Sequence, residues 1–200
     1  MDLGEAVRRR GMVRSFADRP VDPDLVDGLL DQALRAPSAG NTRGTAWLVL
    51  AGPDQTATYW AHATTGDWRA RSPRWPGLSR APVVALSLAS PPAYLARYGE
   101  ADKAGSGLDE AEGAWPVPYW FGDAAFATMT LLLGATGAGL GACFLGNFRG
   151  EAALLEALGV PEGWRLFGTV LLGHPDGHDH RSRSLDRPAP AGGRVHRGRW

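Results

Sequence analysis

Arginine is the residue type in this sequence whose chemistry is most distinctive. The 200 residues include 21 Lys and Arg, and Lys103 is the only lysine among them. A guanidinium keeps its charge and presents a planar fork of N–H donors, which suits phosphate and carboxylate oxygens. Arginines gather near both ends of the chain, which favours one anion site, such as a phosphate monoester site, where the termini meet. The alternative is that most of them are solvated surface charges. The two groups are Arg8, Arg9, Arg10 and Arg14, and then Arg181, Arg183, Arg187, Arg194, Arg197 and Arg199.

A short turn at residues 36–41, with the sequence APSAGN, is a second candidate. Pro37 stops the preceding helix, Gly40 permits a tight turn, and Asn41 carries a side-chain amide. Such a turn can present backbone groups and one amide to the edge of a heteroaromatic ring.

The common motifs of nucleotide-binding proteins and hydrolases are either absent from the sequence or in the wrong structural context. Gly137, Gly139 and Ala142 have the G-x-G-x-x-G/A spacing of a dinucleotide-binding turn. That turn needs a strand before it and a helix after it, whereas the predicted order here is helix and then strand. The sequence also lacks a G-x-x-x-x-G-K-[ST] loop and a G-x-S-x-G elbow. A single lysine leaves little room for Schiff-base chemistry.

Residues that can bind a metal are concentrated at 174–180. Pro175 and Gly177 interrupt any helix that would aim the imidazole rings at one point. We therefore interpret this stretch as a solvated turn and predict no metal site. The residues concerned are His174, Asp176, His178, Asp179 and His180.

Composition narrows the class of protein. A chain with 44% hydrophobic and 21% charged residues is typical of a soluble globular protein, and its formal net charge of zero argues against a nucleic-acid partner. Residues 124–146 carry no charge, but glycines interrupt the stretch, so we predict no membrane span. Cys143 is the only cysteine, which favours a reducing, cytoplasmic setting.

Helices and strands are predicted to alternate. Asp2 and Glu5 form a capping pattern for a short first helix, and Asp22 with Pro23 marks the start of a second. Asp123 is predicted to cap a strongly apolar helix through about residue 135. Further helices are predicted from about residue 54 and over 151–158, and strands over 46–51, 83–89, 140–145 and 166–172.

The chain is long enough for one domain over residues 1–200. Its last part, 174–200, is too poor in apolar residues to form a core. We interpret it as an arm laid over the domain or over a partner subunit, with a free tail as the alternative.

Several motifs, taken in order, resemble the FMN-dependent nitroreductase family. The resemblance spans nearly the whole chain except residues 59–80 and 93–120. In the N-terminal half it rests on RGMVRSF at 10–16, PV at 20–21 and APSAGN at 36–41. In the C-terminal half it rests on DAA at 123–125, GLGA at 139–142, LGVP at 158–161 and LGHP at 172–175.

This resemblance implies an α+β fold with a central mixed β-sheet flanked by helices. It also implies an interlocked homodimer with one FMN in each of two sites at the subunit interface. Arg10, Met12 (through its backbone) and Arg14 match the segment that holds the FMN phosphate and ribityl chain. Arg187, with Arg183 second, matches a C-terminal arginine that contacts the phosphate.

The remaining implied flavin contacts come from two other segments. Pro37, Ser38 and Asn41 match a turn that faces the isoalloxazine from the partner subunit. Leu145 and Gly146 match a strand end whose backbone N–H groups approach flavin N5 and O4.

The sequence departs from the family pattern at three places. Met12 stands where the family usually has a serine, and Arg43 with Gly44 replaces a common Gln-Pro pair. The strand end at 144–147 lacks an acidic residue found in several members. These departures concern substrate preference more than flavin binding.

The implied activity is a ping-pong oxidoreductase reaction in which hydride passes from NADH or NADPH through flavin N5 to an aromatic nitro or quinone-like acceptor. The flavin carries the chemistry, so no catalytic side chain is predicted. The aromatic residues predicted around the acceptor are Tyr94, Trp115, Tyr119 and Trp120, with ordinary packing of the long excursion at residues 93–120 as the alternative.

Two other functions stay open from the sequence. One is a specialised FMN enzyme of the same fold, such as a biosynthetic dehydrogenase, a reductive dehalogenase or a deazaflavin-linked reductase. The other is a flavin-binding protein without catalysis.

Overall fold

A four-stranded sheet with helices on both faces forms the centre of the fold in a computed structural model that describes residues 1–64, 75–179, 186–188 and 194–199. The strands are β1 (Thr45–Ala51), β2 (Val83–Ala89), β3 (Gly141–Leu145) and β4 (Arg165–Gly173). The helices of this part are α1 (Leu3–Arg9), α2 (Pro23–Ala33), α3 (Gly52–Ala63), α4 (Pro91–Tyr98), α5 (Tyr119–Gly137) and α6 (Glu151–Ala157).

The strands lie in the order β1-β2-β4-β3, and each neighbouring pair is antiparallel. The predicted α+β class is confirmed, but the sheet of the described residues is not mixed. Within that part of the chain, the parallel contact is an isolated bridge between Met12 and Ala142 at the edge of β3. The N-terminal segment makes this bridge without becoming a strand of the sheet.

Both faces of the sheet are covered, which explains why its strands lack an apolar and polar alternation. Val83 and Ala85 of β2 pack on one face with α2 and α5. Val84 and Leu86 of the same strand pack on the other face, against α3 and α6. Successive side chains point to opposite faces, so a fully apolar strand is what two covered faces require.

Helix α5 begins earlier than the sequence predicts. Its first residue is Tyr119 and its N-cap is Pro118, so the prediction that Asp123 caps this helix is wrong. Asp123 lies inside the helix, buried, with its side chain bonded to groups outside it. The predicted caps of α1 and α2 are confirmed, because Asp2 and Asp22 each accept a backbone N–H of the first turn.

The apolar stretch at 124–146 divides between two elements. Helix α5 ends at Gly137, Gly139 turns the chain with φ of 76°, and β3 follows. This is the predicted order of helix and then strand. Among the described residues, no helix combines the length and apolar character needed to cross a membrane.

Two glycine substitutions, one in β4 and one in α2, should have opposite effects on stability. A Cβ on Gly168 of β4 would lie 2.5 Å from the Phe144 ring, so Gly168→Ala should destabilise the protein by about 1–3 kcal/mol. A Cβ on Gly28 of α2 would meet no atom within 4 Å, and Gly28→Ala should stabilise the protein by up to about 1 kcal/mol. Urea unfolding of both variants measures the difference. Changes of the same sign in the two variants would contradict this account of the packing.

Candidate functional site

The N-terminal segment after α1 runs along the free edge of β3. Met12 forms a parallel bridge with Ala142, and the Val13 N–H donates to the Ala142 carbonyl at 2.9 Å. The Phe144 N–H points to the same edge and donates to the Met12 sulfur at 3.3 Å. The segment is therefore bonded to β3 through the Val13 backbone and through the Met12 side chain.

This pairing fixes which backbone groups of β3 face the segment. In a strand, successive N–H groups alternate between the two edges. The Ala142 carbonyl and the Phe144 N–H face the N-terminal segment, so the N–H of Leu145 faces β4, where Leu145 pairs with Thr169. Of the two predicted flavin donors, Leu145 is therefore directed to β4, whereas Gly146 follows the strand and is exposed.

Arg14 lies two residues beyond the bridge. Its guanidinium stacks over the Trp75 ring at 4.8 Å and donates to the Met12 carbonyl at 3.1 Å. It lines a cavity of about 450 Å³ that we name the arginine cavity. The side chains around this cavity include Arg14, Ser15, Trp75, Arg80, His178 and Asp179.

Of the two arginines that line the arginine cavity, Arg80 forms an ion pair and Arg14 forms none with the described residues. Arg80 donates to Asp176 at 2.6 Å, and the His178 N–H, Ser15 and Arg80 together hold the pKa of Asp176 below its usual range. Arg14 has no carboxylate within ion-pair distance among the described residues. An unpaired guanidinium in a cavity is suited to an anion.

Asp179 supplies the second unpaired group of this cavity. Its Oδ2 accepts the backbone N–H of Arg14 at 2.8 Å, whereas its Oδ1 is buried and has no hydrogen-bond partner among the described residues. A buried acceptor of this kind needs a donor, such as a hydroxyl group. The cavity therefore offers a cation for an anionic group and an acceptor for a neighbouring hydroxyl.

Of the other predicted arginines, those that the structure describes do not line this cavity. Arg10 caps the C-terminal end of α1, is partly exposed, and does not line the cavity. Arg187 is exposed, and Arg183 lies outside the described residues. Their contact with a phosphate stays a prediction.

The turn at 36–41 lies at a different cavity. Pro37, Ser38 and Asn41 line this turn cavity, of about 580 Å³, together with Arg43 and Asp123. Ser38 Oγ accepts the Arg43 N–H at 3.0 Å, and Asn41 Oδ1 accepts the Arg43 Nε–H at 3.3 Å. Two side chains of the turn are therefore hydrogen-bonded to Arg43, which follows it.

A third cavity, of about 680 Å³, surrounds the end of β3 and is lined by Leu145, Gly146 and Asn147 with Tyr59 and Trp60. Asn147 donates to the Tyr59 hydroxyl at 3.3 Å and accepts from Thr169 at 2.9 Å. Burial raises the pKa of Tyr59. These bonds fix the chain at the point where it leaves β3.

The aromatic residues predicted around an acceptor form a packed cluster. Tyr94, Trp115 and Trp120 are buried and meet edge to face, with ring centroids about 6 Å apart. The Trp115 Nε1–H donates to the Leu108 carbonyl at 2.7 Å. This arrangement matches the packing alternative, and only Tyr119, 45% exposed, is open to a ligand.

Sequence reasoning missed Trp75, Arg80, Asp179 and Asn147. Asp179 and Asp176 lie in the stretch that we interpreted as a solvated turn, and they bond instead to Arg14 and Arg80. Within the described ranges no three metal-ligating side chains are grouped. One feature of the sequence could have pointed to this site: the charged residue Arg80 lies just before the buried strand β2.

Known proteins share both the sequence pattern and the fold. Residues 7–174 match the model of the nitroreductase family. The chain is 29% identical over 194 residues to an Archaeoglobus fulgidus protein described as "Putative NADH dehydrogenase/NAD(P)H nitroreductase", over 96% of this chain and 94% of that protein.

Two solved structures have the same fold. A nitroreductase family protein from Clostridium novyi NT is 22% identical, with a TM-score of 0.67 over 88% of this chain and 87% of that one. A Desulfovibrio desulfuricans protein determined in complex with FMN is 23% identical, with a TM-score of 0.65 over 95% of this chain and 99% of that one. The chain belongs to the nitroreductase family, and it is an oxidoreductase.

The buried thiol of Cys143 in β3 should make the protein less stable at alkaline pH. Burial raises the pKa of this thiol to about 11, from the 9.0 of an exposed thiol. The unfolded chain then loses the proton first, so stability should fall as the pH rises from 9 towards 11, by about 2 kcal/mol at pH 10.5.

Urea unfolding at pH 8 and at pH 10.5 measures this loss, with Cys143→Ala as the comparison. The tyrosines are common to both proteins, so the variant should lose about 2 kcal/mol less than the wild type over this pH interval. Equal losses would mean that the thiol does not titrate as its burial implies.

Proposed function

We propose that this chain is an FMN-dependent NAD(P)H oxidoreductase acting on aromatic nitro or quinone-like compounds. The observation that carries the proposal is the arginine cavity, where an unpaired guanidinium and an unpaired buried acceptor lie beside the edge of β3. A cytoplasmic setting with Cys143 as a free thiol is part of the proposal.

The residues present fit the polar part of FMN. Arg14 would hold the phosphate, because its guanidinium has no carboxylate partner in the described part of the chain. Asp179 Oδ1 would accept a ribityl hydroxyl, because this buried atom has no donor in the part of the chain that the structure describes. The Desulfovibrio desulfuricans relative that contains FMN supports the same cofactor.

The redox steps need positioning rather than a catalytic side chain. When bound, FMN supplies the chemistry of a ping-pong cycle, in which hydride passes from NAD(P)H to the acceptor. Gly146 would offer its N–H to the ring where negative charge develops, as a preorganised donor does. The bonds of Asn147 to Tyr59 and Thr169 would hold that N–H in place.

The proposed assembly is a homodimer with two FMN sites at the subunit interface. Arg14 and the turn at 36–41 line different cavities of one chain, which fits a site built from two chains. Helix α5 also exposes Tyr119, Phe126 and Met129, which are 45%, 54% and 40% exposed. Large apolar side chains along one helix support contact with a partner.

Purified protein is expected to be a yellow homodimer that releases FMN on denaturation and oxidises NAD(P)H when a nitroaromatic or quinone is added. Light scattering gives the molar mass, chromatography of the released flavin identifies it, and absorbance at the nicotinamide band follows turnover. A flavin-loaded monomer would contradict the proposed assembly. Flavin binding without turnover of any acceptor would favour the binding protein that the sequence left open.

Arg14→Ala is expected to weaken FMN binding roughly 10- to 150-fold, because a hydrogen bond to a charged group contributes about 1.5–3 kcal/mol. Riboflavin lacks the phosphate, so its affinity should hardly change. Flavin fluorescence during titration of the apoprotein measures both affinities, and exposed Arg19, as Arg19→Ala, is the matched control. Equal losses for FMN and riboflavin would mean that Arg14 holds the fold and not the phosphate.

A further inference from the structure

Helix α5 contains a buried carboxylate that the proposed chemistry does not use. Asp123 is 4% exposed, and no Lys or Arg of the described residues lies within ion-pair distance of it. Burying a charge costs free energy unless hydrogen bonds compensate for the lost water. The partners of Asp123 should therefore show what the residue is for.

Asp123 bonds to the turn and to α4 through one oxygen. Its Oδ2 accepts the Ala39 N–H at 2.8 Å and the Tyr94 hydroxyl at 2.6 Å. Burial, followed by the bond to Asp123, raises the pKa of Tyr94, so the hydroxyl keeps its proton and stays a donor. The carboxylate thus connects α5 with α4 and with Ala39, the first residue of a short 3-10 helix (Ala39–Asn41) in the turn.

The turn needs such outside contacts, because part of its backbone is left-handed. Gly40 has φ of 61° and Asn41 has φ of 54°. Asn tolerates the left-handed region better than most residues with a Cβ, but it also adopts the right-handed regions, so contacts from outside the turn help to select one conformation. The Gly40 carbonyl accepts the Arg97 Nε–H at 2.9 Å, and Arg97 is held in turn by both carboxylate oxygens of Asp102.

We propose that Asp123 and Tyr94 are positioning residues that set the conformation of the turn at 36–41 for contact with the flavin bound to the partner protomer. This inference rests on the proposed function. It also assigns α4 and the excursion after it to supporting the turn, which explains why Tyr94 and Trp115 are buried.

The first test compares two flavins with two kinds of variant. Asp123→Ala should weaken FMN and riboflavin equally, by roughly tenfold or more, because the turn contacts the ring that both flavins share. Arg14→Ala should weaken FMN alone. Asp123→Asn keeps an oxygen that can accept from Ala39 and Tyr94, so it should restore most of the lost affinity.

Tyr94→Phe keeps the ring in its cluster and removes one hydroxyl, so it tests the proposal even where Asp123→Ala does not fold. Thr128→Val is the matched control. It removes a buried bond from the same helix to Ser87 of β2 and leaves both bonds of Asp123 in place. It should lower the free energy of unfolding in urea without changing the affinity or the visible spectrum of the bound flavin.

The decisive measurement uses heterodimers that pair an Arg14→Ala chain with a Tyr94→Phe or Asp123→Ala chain. If the turn acts on the partner's flavin, both defects fall in one site and the other site is wild type. Half of the sites should then bind FMN with wild-type affinity.

Heterodimers without any wild-type site would overturn the proposal, because the carboxylate would then act within its own protomer. Wild-type affinity in homodimeric Asp123→Ala and Tyr94→Phe would also overturn it while the Arg14 result stands. Absence of FMN binding by the wild-type protein would overturn the proposed function itself, which separates the two failures.

Discussion

The pairing of Met12 with Ala142 at the edge of β3 sets the geometry of the arginine cavity. Val13 is bonded to Ala142, so the residue that follows it, Arg14, has a fixed register against the strand. A shift of one residue would turn the Arg14 side chain to the opposite side. The same register leaves the Arg14 N–H free to bind Asp179, which draws the chain after β4 to the cavity.

The two proposed halves of the site are held by different physical means. Backbone pairing positions the segment from Met12 to Arg14, and backbone pairing accepts almost any side chain. This explains how a methionine can be accommodated at position 12: its sulfur accepts the Phe144 N–H and closes the edge of β3. The turn at 36–41 is held by side chains instead, chiefly those of Asp123 and Arg97. Substitution of either side chain should therefore change the conformation of the turn.

Features set by neighbouring residues could be predicted from the sequence, and features set across the fold could not. The caps at Asp2 and Asp22 bond within one turn, so their pattern is visible in a short window. Asp123 precedes an apolar run just as a cap would, but its partners Tyr94 and Ala39 lie 29 and 84 residues away. The same holds for Asp179, whose bond to Arg14 spans 165 residues.

A buried carboxylate does something for the turn that an apolar side chain could not. Apolar contacts have no direction, so they would pack against several turn conformations equally well, whereas an acceptor at 2.8 Å from the Ala39 N–H selects the one that aims this group at it. The carboxylate also stands on α5, the helix whose exposed Phe126 and Met129 would meet the partner. In the proposed homodimer, one helix therefore fixes both the approach of the second protomer and the turn offered to its flavin. Assembly and cofactor geometry are then set by the same rigid element.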